Sequence, residues 1–413
     1  MKRLLMIAAM VIALPAISLC QSAGQSPSSN LLKDVSVESV PLLDTLTDEK
    51  RTGQSSQQVK SGDDEHGRFW VSAEYLLWKM KRSNLPPLIT TGPENGSAVI
   101  GQLGTAIAFG GDKLERGKFP GGRFTAGVWL NEKRSVGVEL SYFFLKERTF
   151  RFEVTSSGQP GSQVITRPYF NVSTGKESGL VIVLPPFPAS GSSTATLPSS
   201  LKGGEVNLIY RLNRVHCCRT SLQGGFRYLD LNEQLNVIDT EDSVFGRHFT
   251  DTDQFSTRNQ FYGGQVGVRS AFNRGRLSLE LSGAAALGSN RESVEINGAT
   301  SDSFNLPNNR RGGVLALVSN IGLYQRNEFT IVPEVRANLG YDITHKVRAF
   351  IGYGFLYWNK VVRPGEQIDR VVNPLLVPSS GSPVLSGPLR PAFTFHSTAF
   401  WAQGLTTGVK VRF

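Results

Sequence analysis

Residues 329–343 read FTIVPEVRANLGYDI, and the two faces of this stretch differ in character. The odd positions are apolar or aromatic, whereas the even positions include Glu334, Arg336 and Asp342. Because successive side chains of a β-strand point to opposite faces, this alternation predicts a strand with one oily and one polar face. The strands of a soluble β-sandwich show the same alternation, so this stretch alone does not identify the fold.

Similar strand-like runs recur from residue 69 onward, at 123–131, 135–144, 217–228, 262–273 and 276–287. They exceed the ~5–6 residues of an average globular strand and reach the ~9–11 that a tilted strand needs to cross a membrane. No helices are predicted between them, which excludes α/β folds. The only long apolar run lies at the N-terminus, so a polytopic helical membrane protein is excluded as well. The chain is therefore predicted to be all-β.

A repeated segment indicates how the strands connect. It occurs as GGRFTAGVWLN at 121–131, GGEVNLIYRLN at 203–213 and GGQVGVRSAFN at 263–273. Each copy begins with a glycine pair, ends with asparagine, and leads into a short polar turn between two strand-like runs; a further short turn lies at 344–346. Short polar turns of this kind join hairpins, so the repeated unit is predicted to be a β-hairpin.

Long connections alternate with these short turns along the chain. They are rich in Pro, Gly, Ser and Asn and lie at about 81–120, 155–201, 232–254, 299–323 and 361–397. In a meander, successive connections fall on opposite sides, so all long connections share one side and all short turns the other. Long external loops with short periplasmic turns are typical of outer-membrane barrels. We predict an antiparallel up-and-down transmembrane β-barrel of about ten strands, within a range of eight to twelve.

The ends of the chain predict its location. Residues 1–20 have a basic start and an apolar stretch, the pattern of a secretory signal peptide. Residues 21–66 are polar and lack aromatics, which predicts a flexible periplasmic tether, and 67–413 is assigned to the barrel. The last run ends at Phe413 and resembles the terminal-strand signal read by the barrel assembly machinery. Outer-membrane lipid and that machinery are the partners this predicts.

Several segments resemble a known family. They are FWVSAEYLLW at 69–78, Gly340-Tyr341, GYGFLYW at 352–358 and VVRPGEQID at 361–369. They are similar to the outer-membrane proteins of planctomycetes grouped as the seventh type of beta barrel porin, and the likeness covers most of 69–413. The resemblance implies an outer-membrane location and a barrel fold, but no substrate and no catalytic residues.

The polar face of the strands supplies the predicted lumen. The charged residues assigned to it are Glu74, Arg123, Glu139, Glu205, Arg211, Arg219, Arg227, Arg269, Arg276, Glu280, Glu334, Arg336 and Arg348. Ten strands leave too little room for a wide aqueous channel. Two interpretations remain: a charged plug that holds the barrel rigid, or a narrow pathway in which the surplus of arginine favours small anionic solutes.

A porin-like barrel of unknown cargo is the predicted function, and two other function classes are alternatives to it. Long external loops also suit a membrane anchor that displays them for adhesion or partner binding. A rim-type outer-membrane hydrolase would use His248 with Asp251 and Asp253, a pairing that any Asp-rich loop gives by chance. We therefore expect no enzyme.

No cofactor or metal is expected. The cluster His216-Cys217-Cys218 would place neighbours on opposite faces of a strand, so Cys217 and Cys218 are predicted to be structural thiols. The net charge of +10 is modest, and no basic cluster is interleaved with aromatics, so nucleic acid is not an expected partner.

Overall fold

The computed structural model describes residues 67–187, 189–212, 218–304, 309–378 and 386–413. Its main element is a ring of ten long strands. They are β1 (Phe69–Met80), β2 (Lys118–Trp129), β3 (Val136–Ser156), β4 (Ala189–Arg211), β5 (Cys218–Ser243), β6 (His248–Arg274), β7 (Leu277–Asp302), β8 (Gly322–Asp342), β9 (Val347–Val362) and β10 (Ser397–Arg412).

Each strand pairs antiparallel with the next one along the chain, and β10 pairs with β1. The sheet therefore closes on itself, and the predicted ten-stranded up-and-down barrel is confirmed. In the described part of the chain, no helix has both the length and the hydropathy to span a membrane. The predicted signal peptide (1–20) and tether (21–66) lie outside the described residues.

One end of the barrel, called here the turn end, carries short connections. Between β6 and β7 the chain turns at Gly275 and Arg276, where Gly275 has a φ of 61°, a conformation that glycine adopts without steric cost. The backbones of Phe69 and Phe413 also pair at this end, with N–O distances of 3.3 and 2.9 Å. The opposite end, called the loop end, carries the long connections.

Strands β3 to β8 are longer than a membrane crossing requires. They run for 21 to 27 residues, so most of the predicted connection at 232–254 and part of those at 155–201 and 299–323 is strand. The predicted connection at 232–254 shrinks to residues 244–247. Those boundaries were wrong because, toward the loop end, both faces of the strands carry polar residues and the oily–polar alternation is lost.

The outer surface of the barrel has two zones. Toward the turn end it carries a band of exposed apolar side chains that includes Tyr75, Phe124, Leu140, Leu208, Phe226, Val266, Leu339, Ile351 and Leu405. Toward the loop end the same strands expose polar residues such as Glu295, Asn297 and Gln325. An apolar band is the lipid-contacting zone of an outer-membrane barrel. The longer strands therefore project beyond the membrane at the loop end.

The long connections fold into a cap over the loop end. The strands Ile89–Gly92, Ala106–Phe109, Val164–Asn171, Lys176–Val183 and Val371–Val372 form a small second sheet. The remaining short elements are the strand pair Ser83–Asn84 and Lys113–Leu114, the strand Asn309–Arg311 beside β7, and 3₁₀ turns at Pro364–Gln367 and Pro374–Leu376. Buried cap residues such as Ile165 and Leu315 pack against Leu235 and Phe255 of the projecting strands.

Candidate functional site: the barrel lumen

Charged side chains fill the turn-end half of the lumen and pair across it. Glu334 on β8 accepts a hydrogen bond from Arg123 on β2 at 3.1 Å and lies 2.8 Å from a guanidinium nitrogen of Arg227 on β5. Arg227 also pairs with Glu205 on β4 at 2.6 Å. Because β2, β5 and β8 are not neighbours in the sheet, these contacts cross the interior of the barrel.

A second group of pairs lies closer to the turn end. Arg269 on β6 donates to both carboxylate oxygens of Glu139 on β3, at 2.7 and 3.0 Å, and the indole N–H of Trp70 donates to Glu139 at 3.1 Å. Arg336 lies 3.6 Å from Glu334 and lines the same cavity as Arg269 and Glu139, so it stands between the two groups. Buried charges are tolerated only when they are paired, so these ion pairs act as one network, called here the lumen network.

Four more of the predicted lumen residues lie at the margin of this network. Arg348 donates to the carboxylate of Asp342 at 2.7 and 2.8 Å, and Arg211 lies over the ring of Trp129 at 4.2 Å. The carboxylate of Glu280 is 3.9 Å from Arg269. The fourth, Arg219, is partly buried and lies on the same face of β5 as Arg227.

One residue predicted to face the lumen lies elsewhere, and one residue that faces the lumen was not predicted. Arg276 lies in the turn between β6 and β7 with an exposed side chain, because strand β7 begins only at the next residue. Lys410 on β10 lines the interior instead. In LTTGVKVRF, Lys410 alternates with Leu405 and Val409, whose side chains are exposed. Its inward position could therefore have been predicted from the sequence.

A small cavity lies at the turn end of the lumen network. Its volume is about 50 Å³, enough for a few water molecules. The cations that line it are Arg269, Arg336, Arg348 and Lys410, and the carboxylates are Glu74, Glu139 and Glu280. With Asp342 paired to Arg348, the charges nearly balance, so the surplus of arginine predicted for the lumen is largely neutralised here.

An apolar layer closes the lumen beyond the network. Its members are Leu76, Trp78, Met80, Phe119, Phe143, Leu145, Leu201, Leu229, Leu231, Phe261, Ala286, Val332, Leu356, Trp358, Val361, Phe400 and Ala402, and each of the ten strands contributes. Trp78 and Trp358 are fully buried. The guanidinium of Arg123 lies over the rings of Trp78 and Phe143 at 5.6 and 5.3 Å, so the layer rests directly on the lumen network.

The repeated glycine pairs make room for this layer. A Cβ on Gly203 would stand 2.5 Å from the side chain of Leu229 and 2.6 Å from that of Phe143. Large inward side chains thus fill the space left by inward glycine, as in other small barrels, where large and small residues alternate. The repeat read from the sequence as a hairpin signal therefore also serves lumen packing.

A buried ion cluster lies on the loop-end side of the layer. The Glu233 carboxylate pairs with Arg363 at 2.7 and 2.8 Å and with Arg116 at 2.6 Å. Arg363 also donates to the carbonyl oxygens of Lys81 and Arg82, at 3.1 and 2.8 Å. Burial by itself raises the pKa of Glu233, but Arg116 and Arg363 lower it to about 2. This cluster, called the latch, ties two long connections to the barrel wall.

The latch explains part of the segment VVRPGEQID. After Arg363, the side chain of Gln367 donates to the backbone carbonyl of His396 at 2.7 Å. Asp369 accepts hydrogen bonds from Arg390 at 2.8 Å and from the backbone N–H of Ala392 at 2.9 Å. The polar residues of this segment therefore fix the path of the last long connection.

Three buried carboxylates share one arginine beneath the cap. Arg167 pairs with Asp239 and, at 2.7 Å, with Asp253. Asp253 also accepts hydrogen bonds from the backbone N–H groups of residues 314–316, at 2.8 to 3.0 Å. Asp251 faces Asp239 in the strand register and accepts a hydrogen bond from Thr300 at 3.0 Å.

The charges of this group do not balance when all three carboxylates are ionised. Burial, together with the nearby Asp253 and Asp239, raises the pKa of Asp251 well above its usual range. Burial also raises the pKa of Asp239, although Arg167 opposes that effect. A neutral Asp251 leaves two carboxylates near one guanidinium, which reduces the electrostatic cost of burial.

The pairing of His248 with Asp251 and Asp253 that a rim-type hydrolase would require is not formed. The Nδ1 atom of His248 lies 2.6 Å from Asp242, and both side chains are exposed. Asp251 and Asp253 lie inside the projecting barrel, because the predicted loop is strand. Cys218 is a free, partly exposed thiol, whereas His216 and Cys217 lie outside the described residues. Within the described ranges, no three His, Cys, Asp or Glu side chains gather to hold a metal ion.

Comparison with known proteins gives a family. Residues 70–413 match the model of the family described as "Putative beta barrel porin-7 (BBP7)". No curated protein matches the chain.

The similarity of this chain to solved structures is weaker than its match to the family. The outer membrane protease OmpT from Escherichia coli is 11% identical with a TM-score of 0.41, over 83% of this chain and 97% of that one. A FadL homologue of Pseudomonas aeruginosa is 6% identical with a TM-score of 0.20, over 84% and 90%. The toluene transporter TodX of P. putida is 8% identical with a TM-score of 0.17, over the same shares. At these scores, no inference about activity follows.

Proposed function

The chain belongs to the beta barrel porin-7 family, and on that premise we propose that it is an outer-membrane barrel with a closed lumen that anchors a folded cap at the cell surface. The apolar layer carries this proposal. An ion crossing it would have to shed its hydration among buried aromatic and aliphatic side chains such as Trp78 and Trp358, at a cost of several kcal/mol. The barrel is therefore a seal rather than an open pore.

The cap is the part of the molecule that would meet partners. The latch residues Glu233, Arg116 and Arg363 hold long connections against the wall, and the buried Asp253 fixes residues 314–316. Bonds of this kind preorganise a surface and reduce the entropy that binding costs. A preorganised cap on a sealed barrel suits the anchor function, with external partners bound at the loop end. Catalysis is not part of this role.

A narrow anion-preferring channel is the second candidate. The observation that favours it is the cavity at the turn end, which has room for water among charged side chains, although the surrounding carboxylates largely neutralise the lining Arg269, Arg336, Arg348 and Lys410. Passage would require the apolar layer to open. If it does, the paired substitutions Arg227→Glu and Arg269→Glu should reverse the selectivity, because both side chains lie in the lumen network.

Chloride entry into proteoliposomes tests the proposed seal. Vesicles loaded with a chloride-quenched dye and reconstituted with the full-length protein should quench no faster than protein-free vesicles. A wide general porin serves as the positive control. Rapid quenching with the folded barrel would reject the closed-anchor proposal and favour the channel.

We also propose an orientation and an assembly route. Short turns face the periplasm in outer-membrane barrels, so the turn end and the 21–66 tether are assigned to the periplasm and the cap to the exterior. The 1–20 signal peptide would direct export. Phe413, whose backbone pairs with Phe69 beside the closing strands, would be read by the barrel assembly machinery. Replacing Phe413 with Asp should lower the yield of heat-modifiable barrel in the membrane, and an unchanged yield would reject that role.

A further inference from the structure

Two adjacent rows of side chains mark the loop-end border of the apolar band. The first row is aromatic: the strand register aligns Tyr142, Tyr228, Tyr262 and Phe329 across β3 to β8, with small residues between them. The rings of Tyr228 and Tyr262 are 5.1 Å apart. Aromatic girdles of this kind lie at the interface between hydrocarbon and headgroups.

The second row lies two residues closer to the loop end on each strand. Across β4 to β7 it aligns Lys202, Asp230, Gln260 and Arg291. Two residues of strand span about 7 Å, so on each strand this row lies on the headgroup side of the aromatic row.

Cations concentrate along this border on one side of the barrel. The group, called here the basic patch, consists of Lys118, Lys146, Arg148, Lys202, Arg258 and Arg291 on strands β2 to β7, and all six are exposed. Two carboxylates lie among them, Glu147 and Asp230. Asp230 is buried beneath Lys202 and Arg258, and its carboxylate lies 3.6 Å from the Nζ atom of Lys202 and 2.8 Å from the Nη2 atom of Arg258.

The patch keeps a clear positive excess. Lys118 and Lys146 make no ion pair within the described residues, and Arg148 donates to a backbone carbonyl. On the remaining strands, the border cations are paired: Lys79 on β1 lies 3.0 Å from Glu115, and Lys360 on β9 lies 2.8 Å from Glu328. The basic patch is confined to six adjacent strands, whereas charges on an ordinary solvated surface are scattered.

We propose that the basic patch binds the phosphate-bearing headgroups of anionic lipids in the membrane leaflet at the loop end. Charge complementarity and position carry the assignment, since the cations lie two to six residues beyond the aromatic row on their strands, on the side where lipid headgroups lie. Asp230 positions Lys202 and Arg258 side by side, so that one headgroup can be held between them while the tyrosine rings contact its acyl chains. The unpaired Lys118 and Lys146 extend the same surface along β2 and β3.

Native mass spectrometry of the detergent-purified full chain tests this. With equal amounts of dioleoyl phosphatidylglycerol and dioleoyl phosphatidylcholine, the wild type should retain the anionic lipid preferentially. A variant carrying Lys118→Gln, Lys146→Gln, Arg148→Gln and Lys202→Gln should lose that preference by at least about tenfold. Both proteins should show the heat-modifiable mobility of a folded barrel, which separates lost binding from lost folding.

A matched control removes four charges from the turn end: Lys133→Gln, Arg274→Gln, Arg276→Gln and Lys346→Gln. It should keep the preference of the wild type. Equal losses in both variants would mean that net charge alone attracts the lipid, and would overturn the proposal. Release of the adducts by millimolar inorganic phosphate would also overturn it, because the patch would then bind free anions. Unchanged lipid binding in the patch variant, with capture of an acidic peptide instead, would assign the patch to a protein partner.

Discussion

Arg123 on β2 and Glu334 on β8 meet inside the barrel, with 3.1 Å between Nη2 and Oε1, although four strand-to-strand steps around the sheet separate β2 from β8. Both side chains are at most 5% exposed. The guanidinium also lies over the ring of Trp78, so this pair joins the charged half of the lumen to the apolar layer. The lumen network and the layer therefore form one continuous filling.

Removing one partner of this pair should destabilise the barrel strongly. Glu334→Gln leaves Arg123 and Arg227 without their shared carboxylate, and breaking a buried pair in this way costs about 3–5 kcal/mol. Urea unfolding followed by tryptophan fluorescence measures the free energy of unfolding. Lys360→Gln is the control, because Lys360 and Glu328 form an exposed pair worth about 0–1 kcal/mol. Equal effects of the two substitutions would contradict the network.

Substitutions on the two faces of β8 should differ in cost. Leu339 is 53% exposed in the apolar band, so Leu339→Arg should lower the free energy of unfolding by about 2–4 kcal/mol in a bilayer. Arg336→Gln should cost less, because its distances to Glu334 and Glu205, 3.6 and 3.9 Å, are long for ion pairs. Unfolding from lipid vesicles compares the variants. If both were tolerated equally, the outer face of β8 would not contact lipid.

The strand order and the two faces of the membrane-spanning part could be predicted because lipid forces an apolar outer face. The stretch 329–343 shows this, since its odd residues Phe329 and Leu339 are exposed and its even residues Thr330 and Glu334 are buried. Beyond the membrane that constraint ends. Segments such as 232–243, polar on the outside and partly polar inside, then look like loops in the sequence.

The apolar layer and the latch were not predicted, for two different reasons. Layer residues such as Leu76 and Trp78 alternate with the outward Tyr75 and Leu77, so the run YLLW is apolar on both faces. Its sequence therefore does not show which side chains face the lumen. The latch joins Arg116, Glu233 and Arg363, which are far apart in sequence. Only the closed barrel brings them together.

Stability should depend on pH through the buried carboxylates beneath the cap. A carboxyl whose pKa is raised in the folded state stabilises it below the unfolded pKa, about 3.9 for Asp, and loses that contribution as pH rises through the folded pKa. Asp251, facing Asp239, Asp253, Arg167 and Thr300, is such a group. Asp251→Asn, which stays neutral, should gain stability relative to the wild type as pH rises from 5 to 9.

Melting temperatures of the two proteins at each pH provide the measurement. Glu233 does not interfere, because a pKa lowered to about 2 keeps its contribution constant above about pH 5 and loses it only as pH falls toward 2. A constant difference between Asp251→Asn and the wild type across this range would show that Asp251 is ionised throughout.

Cysteine labelling should reveal the orientation of the barrel. In a background of Cys217→Ser and Cys218→Ser, a membrane-impermeant maleimide should label Phe245→Cys on intact cells, because the side chain of Phe245 is 69% exposed at the loop end. Lys133→Cys in a turn-end connection should be labelled only after lysis. Labelling of Lys133→Cys alone on intact cells would mean that the cap faces the periplasm.

Single-channel recording in planar bilayers tests the closed lumen most directly. Folded wild-type protein should insert without steady current, because the apolar layer excludes ions, whereas the double substitution Trp78→Ala and Trp358→Ala removes two fully buried side chains from it and should admit brief conductance events. Parallel urea unfolding confirms that the variant remains folded. A stable current through the wild-type barrel, unchanged in the double variant, would contradict the seal.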